Sequence, residues 1–270
     1  MAPFKYRHPP TAFVIYYEFP LSERVRTFLR MEDLYDRAEF FSAKDEPPNH
    51  HAAMQVVFEI LDVAGRADLK SELMQDLERL KQALASLRTN PAISEDALRG
   101  LLSDIEGAIA GLFQSSGKTG QELRENDWLM GIKQRAAIPG GVCEFDLPTY
   151  HYWLHGSAEQ RRNDLRSWLT PFQPLRVGIN IVLRILRDSG RGSSQMAVQG
   201  VFQQMMGGRT AQLVRIQVED QYECVPEVSA NKYALNIRFT SATSATRAKL
   251  SLTDVPFELT FCNFPDGWSR

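Results

Sequence analysis

The chain has 270 residues, and its 31 Lys and Arg against 33 Asp and Glu leave a formal net charge of −2. A chain this close to neutral is not a polybasic nucleic-acid binder. With 43% hydrophobic and 24% charged residues it is not an acidic disordered regulator either, and its length suffices for one large domain or two ordinary ones.

Residues 1–12 contain Pro3, Pro9 and Pro10 and read as a flexible N-terminal segment. Phe13, Ile15, Tyr17 and Phe19 alternate on one face of a strand over 13–20, which Pro20 ends. Ser22 is a good N-cap for a helix carrying Val25, Phe28, Leu29 and Tyr35. Glu46-Pro-Pro-Asn49 breaks the chain, and a second helix is expected from Ala52 to Ala64. Leu73, Leu77, Leu80, Leu84 and Leu87 step by four and three. Asn90-Pro91 interrupts, and Ser94 with Glu95 and Asp96 restarts a helix whose stripe is Leu98, Leu101, Ile105, Ile109 and Leu112. Two such stripes joined by a short turn make an antiparallel helical hairpin. Residues 115–120 form a loop, and a helix is expected over 121–135. Pro139-Gly140-Gly141 is a turn, 142–146 is extended, and helices follow at 149–155, 158–170 and 174–188. Ser189-Gly190 ends the last, glycine being the usual left-handed cap.

The pattern then changes. Val214, Ile216 and Val218 alternate with Leu213, Arg215 and Gln217. Tyr233, Leu235, Ile237 and Phe239 alternate with Lys232, Ala234, Asn236 and Arg238. Phe257, Leu259 and Phe261 alternate with Glu258, Thr260 and Cys262. One apolar and one polar face predict an antiparallel sheet with one wet side. The fold class is therefore α+β: a helical domain over 21–190, and a β-domain over 191–262 that also takes the N-terminal strand 13–20. Residues 263–270 read as a C-terminal segment.

Three cysteines, Cys143, Cys224 and Cys262, are far apart and form no CxxC, which fits a reducing compartment. No apolar run reaches the ~20 residues that cross a bilayer, and none has the form of a signal peptide. The sequence reads as soluble and cytoplasmic, with no membrane insertion.

Catalytic motifs are absent. Gly117-Lys118-Thr119 has the wrong spacing to Gly111, and follows a helix where a phosphate loop follows a strand. His151 and His155 stand four apart, but Tyr152 occupies the place of the metalloprotease glutamate, and spacing supplies no further ligand. His50-His51 reads as a solvated loop pair. Gly190-Arg-Gly192 is no dinucleotide fingerprint, there is no Gly-x-Ser-x-Gly elbow, and none of the carboxylates forms an isolated acid–base pair. No enzyme, cofactor or metal site is expected.

Charge is uneven along the chain. Residues 1–159 hold 17 basic and 24 acidic side chains, and residues 160–270 hold 14 and 9. Lys232 and Arg238 read as one strand's polar face, with Arg215 on a neighbouring strand and Arg247 and Lys249 close by. A solvated sheet face is the plain reading. A groove for a carboxylate-bearing peptide is the functional one. Nucleic acid is not favoured, because no aromatic RNA-binding pattern accompanies the charge.

The segment Ile138-Pro-Gly-Gly-Val-Cys-Glu-Phe-Asp-Leu-Pro-Thr-Tyr-His-Tyr-Trp-Leu-His155 resembles the signature of the ZapD family of bacterial cell-division proteins. Phe19-Pro-Leu-Ser-Glu-Arg-Val-Arg-Thr-Phe-Leu-Arg-Met-Glu32, Gly120-Gln-Glu-Leu-Arg-Glu125 and Asn231-Lys-Tyr-Ala-Leu-Asn-Ile-Arg-Phe239 match in the same order. The resemblance implies a non-catalytic homodimer at the division site that binds the tubulin-like protein FtsZ, through its C-terminal tail, and bundles its filaments. It carries Arg30, Arg66, His151 and Arg238 over as tail contacts. Ala234 and Asp127 stand where the family has basic residues, and Lys232, Arg215 or Arg247 is expected to compensate. The readings that compete with this are a peptide adaptor for another partner and a nucleotide-using enzyme.

Overall fold

A computed structural model describes residues 13–66, 68–89, 94–115, 117–208, 210–241 and 249–264. Arg247, the Asn90-Pro91 break and the terminal segments 1–12 and 265–270 lie outside the described residues. The chain divides into two compact units, one of residues 28–182 and one of residues 1–27 and 183–270. The α+β class holds, and the N-terminal strand joins a sheet built from the last third of the chain.

In chain order the elements begin with strand β1 (Val14–Pro20), then helices α1 (Glu23–Ser42), α2 (Pro47–Ala64) and α3 (Leu69–Ala85). The helices continue with α4 (Glu95–Gln114), α5 (Gln121–Arg124), α6 (Asp127–Ala136), α7 (Pro148–His155), α8 (Ala158–Leu169) and α9 (Gln173–Asp188). Strands β2 (Gly192–Ala197), β3 (Val201–Met205), β4 (Leu213–Glu219), β5 (Cys224–Ala230), β6 (Ala234–Ser241) and β7 (Val255–Cys262) complete the chain.

Several boundaries follow the expected chemistry. Ser22 Oγ accepts from the Val25 amide at 3.3 Å. Ser94 Oγ caps α4 through the Ala97 amide, although at a long 3.4 Å. Pro47-Pro48, read above as a break, instead opens α2, because prolines in a first turn forfeit only amides that have no helical acceptor. The helix expected over 121–135 is two, divided where Asn126 Oδ1 caps α6 through the Leu129 amide at 3.0 Å. The extended segment expected over 142–146 is a turn, closed by the Asp146 and Leu147 amides on the Cys143 carbonyl.

In the helical unit, α3 and α4 form the expected antiparallel pair. Lys81 meets Glu106 at 3.0 Å, and Lys70 Nζ donates to the Ser115 carbonyl at the other end. Leu73, Leu77 and Leu80 are fully buried. On α4 the inward residue is Leu102 rather than Leu101, giving a stripe of Leu98, Leu102, Ile105, Ala108 and Leu112. Helix α9 crosses α3 closely, since a Cβ on Gly178 would stand 2.9 Å from Leu73 Cδ2.

In the other unit the strands form two sheets, not the single one expected. Sheet one runs β1-β4-β7-β2 and sheet two β3-β6-β5, with antiparallel pairing throughout. Val214, Ile216, Val218, Phe257 and Leu259 of the first face Leu235, Ile237 and Phe239 of the second across a common core. Phe257 bridges them, with ring centroids 5.2 Å from Phe202 and 5.1 Å from Phe239. The outer face of sheet one is only partly wet. Leu213, Thr260 and Cys262 are buried there, beside the end of α9 and Ser189–Gly190. Gly190 is not left-handed; glycine is needed because a Cβ would strike Thr260 and Cys262.

The Gly117–Gly120 loop joins α4 to α5, so the glycines serve a turn between helices. Gly120 has φ +74°, and a Cβ there would lie 2.6 Å from Leu61 Cδ1 and 2.8 Å from the Phe172 ring. Gly120→Ala therefore combines backbone strain with overpacking and should destabilise the protein by about 3 kcal/mol. Gly107→Ala, in open space on α4, should stabilise it by about 0.5–1 kcal/mol. Urea midpoints of the two variants check both signs.

Candidate partner-binding surface

The sequence signature folds into a turn-rich segment followed by α7, and two consecutive histidines of α2 hold that helix. His50 is fully buried. Its Nδ1 accepts from Arg161 Nε at 2.6 Å, and its Nε2 lies 2.6 Å from the Lys44 carbonyl. A carbonyl only accepts, so Nε2 carries the proton and the ring is neutral. Arg161, on α8, is itself buried, and spreads its remaining donors over the carbonyls of Leu154 and Asp45, at 2.8 and 2.7 Å, and of Gly156. The first two lie at the end of α7 and in the turn before α2. The neighbouring His51 takes the phenol of Tyr150 on Nδ1 at 2.7 Å, in the first turns of α7. His50 and His51 thus pin the end and the beginning of α7. The solvated-loop reading of the pair is corrected: proline-initiated α2 begins before them and turns them inward.

An aromatic cluster backs this arrangement. Tyr150 stacks on Trp153 at 5.7 Å, and Trp128 lies 6.1 Å from Trp153 and 5.9 Å from Trp168. Two indoles also make polar bonds, Trp128 Nε1 to Thr149 Oγ1 at 3.1 Å and Trp153 Nε1 to Asp164 Oδ2 at 2.8 Å. Tyr150 is fully buried, which pushes its phenol well above the ordinary range and keeps it a donor.

The opposite face of α7 is exposed. His151, Tyr152 and His155 fall within about 100° of arc and all face solvent, Tyr152 with 80% exposure. The His151 and His155 rings are 4.3 Å apart, and His155 Nδ1 donates to the His151 carbonyl at 2.9 Å. Among the described residues no third His, Cys, Asp or Glu joins them in a metal-binding group. The same segment exposes Ile138 and Phe145.

The other expected contacts are distributed between the units. Arg30, on α1, and Arg66, two residues beyond α2, are exposed in the helical unit with His151. In the sheet unit Arg215 belongs to β4 and Arg238 to β6. These strands lie in different sheets whose apolar faces meet, so the two arginines occupy opposite outer faces and form no shared stripe. Arg215 Nε lies 3.1 Å from Glu18, whose carboxylate also takes both prongs of Arg187 at 2.9 and 2.8 Å. Arg238 is exposed, opposite Glu227 of β5 in the register. Lys232 is not in the strand. Asn231 Oδ1 accepts from the Tyr233 and Ala234 amides, which makes 231–233 a turn and puts Lys232 Nζ 4.8 Å from the Tyr233 ring. Asp127, one of the two departures noted above, is the exposed first residue of α6.

Comparison with known proteins places this segment in its family. A family model described as ZapD, cell division protein, matches residues 29–238. The chain belongs to the ZapD family. A relative in Dechloromonas aromatica, named cell division protein ZapD, is 55% identical over 251 residues, covering 93% of this chain and 100% of its own. Relatives of the same name in Aromatoleum aromaticum and Nitrosomonas europaea are 54% and 53% identical, each covering 93% of this chain, and 98% and 95% of their own. No helix among the described residues is long and apolar enough to cross a membrane. The resemblance reached His151 but not His50, His51 or Arg161. The signal available for the two histidines was their adjacency one residue beyond helix-starting prolines.

Burial depresses the affinity of both α2 histidines for protons, and for His50 the nearby Arg161 and Arg162 add to this. Their folded pKa values lie below the unfolded value of about 6.5. The neutral rings therefore contribute stability that is complete above about pH 6.5 and is lost as pH falls through and below it. Melting temperature should drop as pH falls below about 6.5, and His50→Asn should flatten that drop when melts followed by circular dichroism are compared.

Proposed function

We propose that the protein is a non-catalytic division factor that binds the C-terminal tail of FtsZ and crosslinks its filaments, acting as a homodimer in the cytoplasm at the division site. The observation that carries this reading is the exposed His151–Tyr152–His155 face of α7, inside the family signature and held rigidly from beneath by α2 and α8. A packed aromatic cluster, with Tyr150 buried and Trp128, Trp153 and Trp168 half-buried, beneath a solvated histidine and tyrosine face suits peptide capture, in which a fixed surface loses little entropy on binding. His151, Arg30 and Arg66 are the proposed contacts of the helical unit, and Lys232 and Arg238 those of the sheet unit. Arg247 stays a proposed contact on its charge and its place in the sequence alone. Arg215 shares Glu18 with Arg187, and so offers less net charge to an acidic peptide than its type suggests.

A dimer holds two equivalent grips. Two weak tails caught on neighbouring filaments gain affinity through effective concentration, so no single tight site is required. The exposed arginines and lysine make each grip weaken with salt.

Low-speed sedimentation tests the reading. The protein should bring down polymers of full-length FtsZ and leave polymers of tail-less FtsZ in the supernatant. Undiminished sedimentation of the tail-less form overturns it. Light scattering at micromolar concentration should give twice the 30.7 kDa chain mass, and a monomer mass would remove the two-grip mechanism.

A further inference from the structure

Helix α7 has eight residues, too few to persist alone in water. Its C-terminal end depends on Arg161, whose guanidinium is buried and bonded to three backbone carbonyls and one imidazole, with no carboxylate among these acceptors. A buried cation without a counter-charge is costly, and an apolar side chain of the same size would serve packing better. What arginine supplies here is geometry. One rigid planar group reaches the Leu154 and Gly156 carbonyls on one side and His50 and the Asp45 carbonyl on the other.

We propose that Arg161 is a positioning residue for the binding face of α7: by holding the end of the helix it sets where His151, Tyr152 and His155 stand, and His50 is the acceptor that keeps its guanidinium in that orientation. The inference rests on the reading of α7 as the tail-binding face.

The arrangement is sensitive to protons. His50 accepts from Arg161 only while Nδ1 is bare. A proton there sets one cation against another, with Arg162 also close. Among the described residues no carboxylate bonds the His50 ring. The Asp45 carboxylate is paired with Arg162, the Glu46 carboxylate holds Asn49, Lys44 presents its carbonyl, and the adjacent His51 faces the Tyr150 phenol. Acid therefore releases the end of α7 and lowers affinity for the tail.

The test uses the full chain, a fluorescent FtsZ tail peptide followed by anisotropy, and hydrogen exchange of the α7 amides. Arg161→Lys keeps the charge but cannot reach all four acceptors, and should weaken peptide binding about tenfold at neutral pH while the protein still melts cooperatively. His50→Asn keeps an acceptor for Arg161 that does not titrate. Relative to its own values at neutral pH it should lose less affinity and less α7 protection at mildly acid pH than the unaltered protein does. Peptide binding by the unaltered protein, with Arg161→Lys unchanged and His50→Asn showing the same pH profile, overturns the positioning role alone. Loss of α7 protection without loss of peptide affinity also overturns it. No peptide binding by the unaltered protein at neutral pH overturns the tail reading and this inference with it, while the exchange data still report whether α7 is held by Arg161.

Discussion

The Arg161–His50 hydrogen bond is the constraint around which the junction of α2, α7 and α8 is arranged. At 2.6 Å between two buried groups, it fixes the tautomer of one and the orientation of the other. Three chain segments meet there: the turn before α2, the end of α7 and the first turns of α8. None has a long hydrophobic stripe of its own. Buried polar groups give less stability than apolar packing but more directional information, because a hydrogen bond has a preferred length and angle and a methyl contact does not. Such information matters most for a short helix whose outward side chains have to stand in one place.

The sheet unit solves a different problem with charge. Glu18 of β1 lies between Arg187 at the end of α9 and Arg215 of β4. These groups are roughly one-fifth to one-quarter exposed, so the pairing is partly shielded from salt and fixes the N-terminal strand beside a strand about 200 residues away in sequence. The same strand is also held by its ladder with β4, by Tyr17 and Phe19 against the core, and by the Phe13 amide on Asp220 Oδ1 at 3.1 Å. Burial pushes the nearby Cys262 thiol up, leaving it an inert packing residue.

What was legible in the sequence was whatever repeats with one period. Leucines at 73, 77 and 80 declared α3, and alternation at 214, 216 and 218 declared β4, because burial on one face imposes those spacings directly. The two-sheet arrangement was not legible: alternation says which side of a strand is buried but not which strand lies beside it. That is why Arg215 and Arg238 looked like neighbours and stand on opposite outer faces. Lys232 was misplaced for a local reason, since the Asn231 side chain turns the chain before the strand begins. His50 and His51 were misread because proline stops a helix from inside but starts one from its first turn, and the two cases share a dipeptide. Of the candidate site, His151 came from the resemblance and its exposure from the fold. The residues that hold it in place have no periodicity and became visible only when three distant segments were brought together.

The basic surplus of residues 160–270 now has a different meaning. Among the described residues it takes several separate roles: Arg161 is buried as a structural cation, Arg187 and Arg215 share a carboxylate, and Arg238 faces Glu227 across the ladder. Much of the excess is spent holding the fold, and the charge left to attract a peptide is diffuse. A diffuse field speeds encounter and gives each grip a shallow, salt-sensitive well. On the proposed reading of the protein as a filament crosslinker, that is an advantage over a tight pocket. Crosslinks that open singly and hold collectively let filaments slide and re-register, whereas one tight site would saturate on single tails and leave no second hand for a neighbour. On the proposed reading the rigid element need only be small, and an eight-residue helix held at its beginning through His51 and at its end through His50 and Arg161 is such an element.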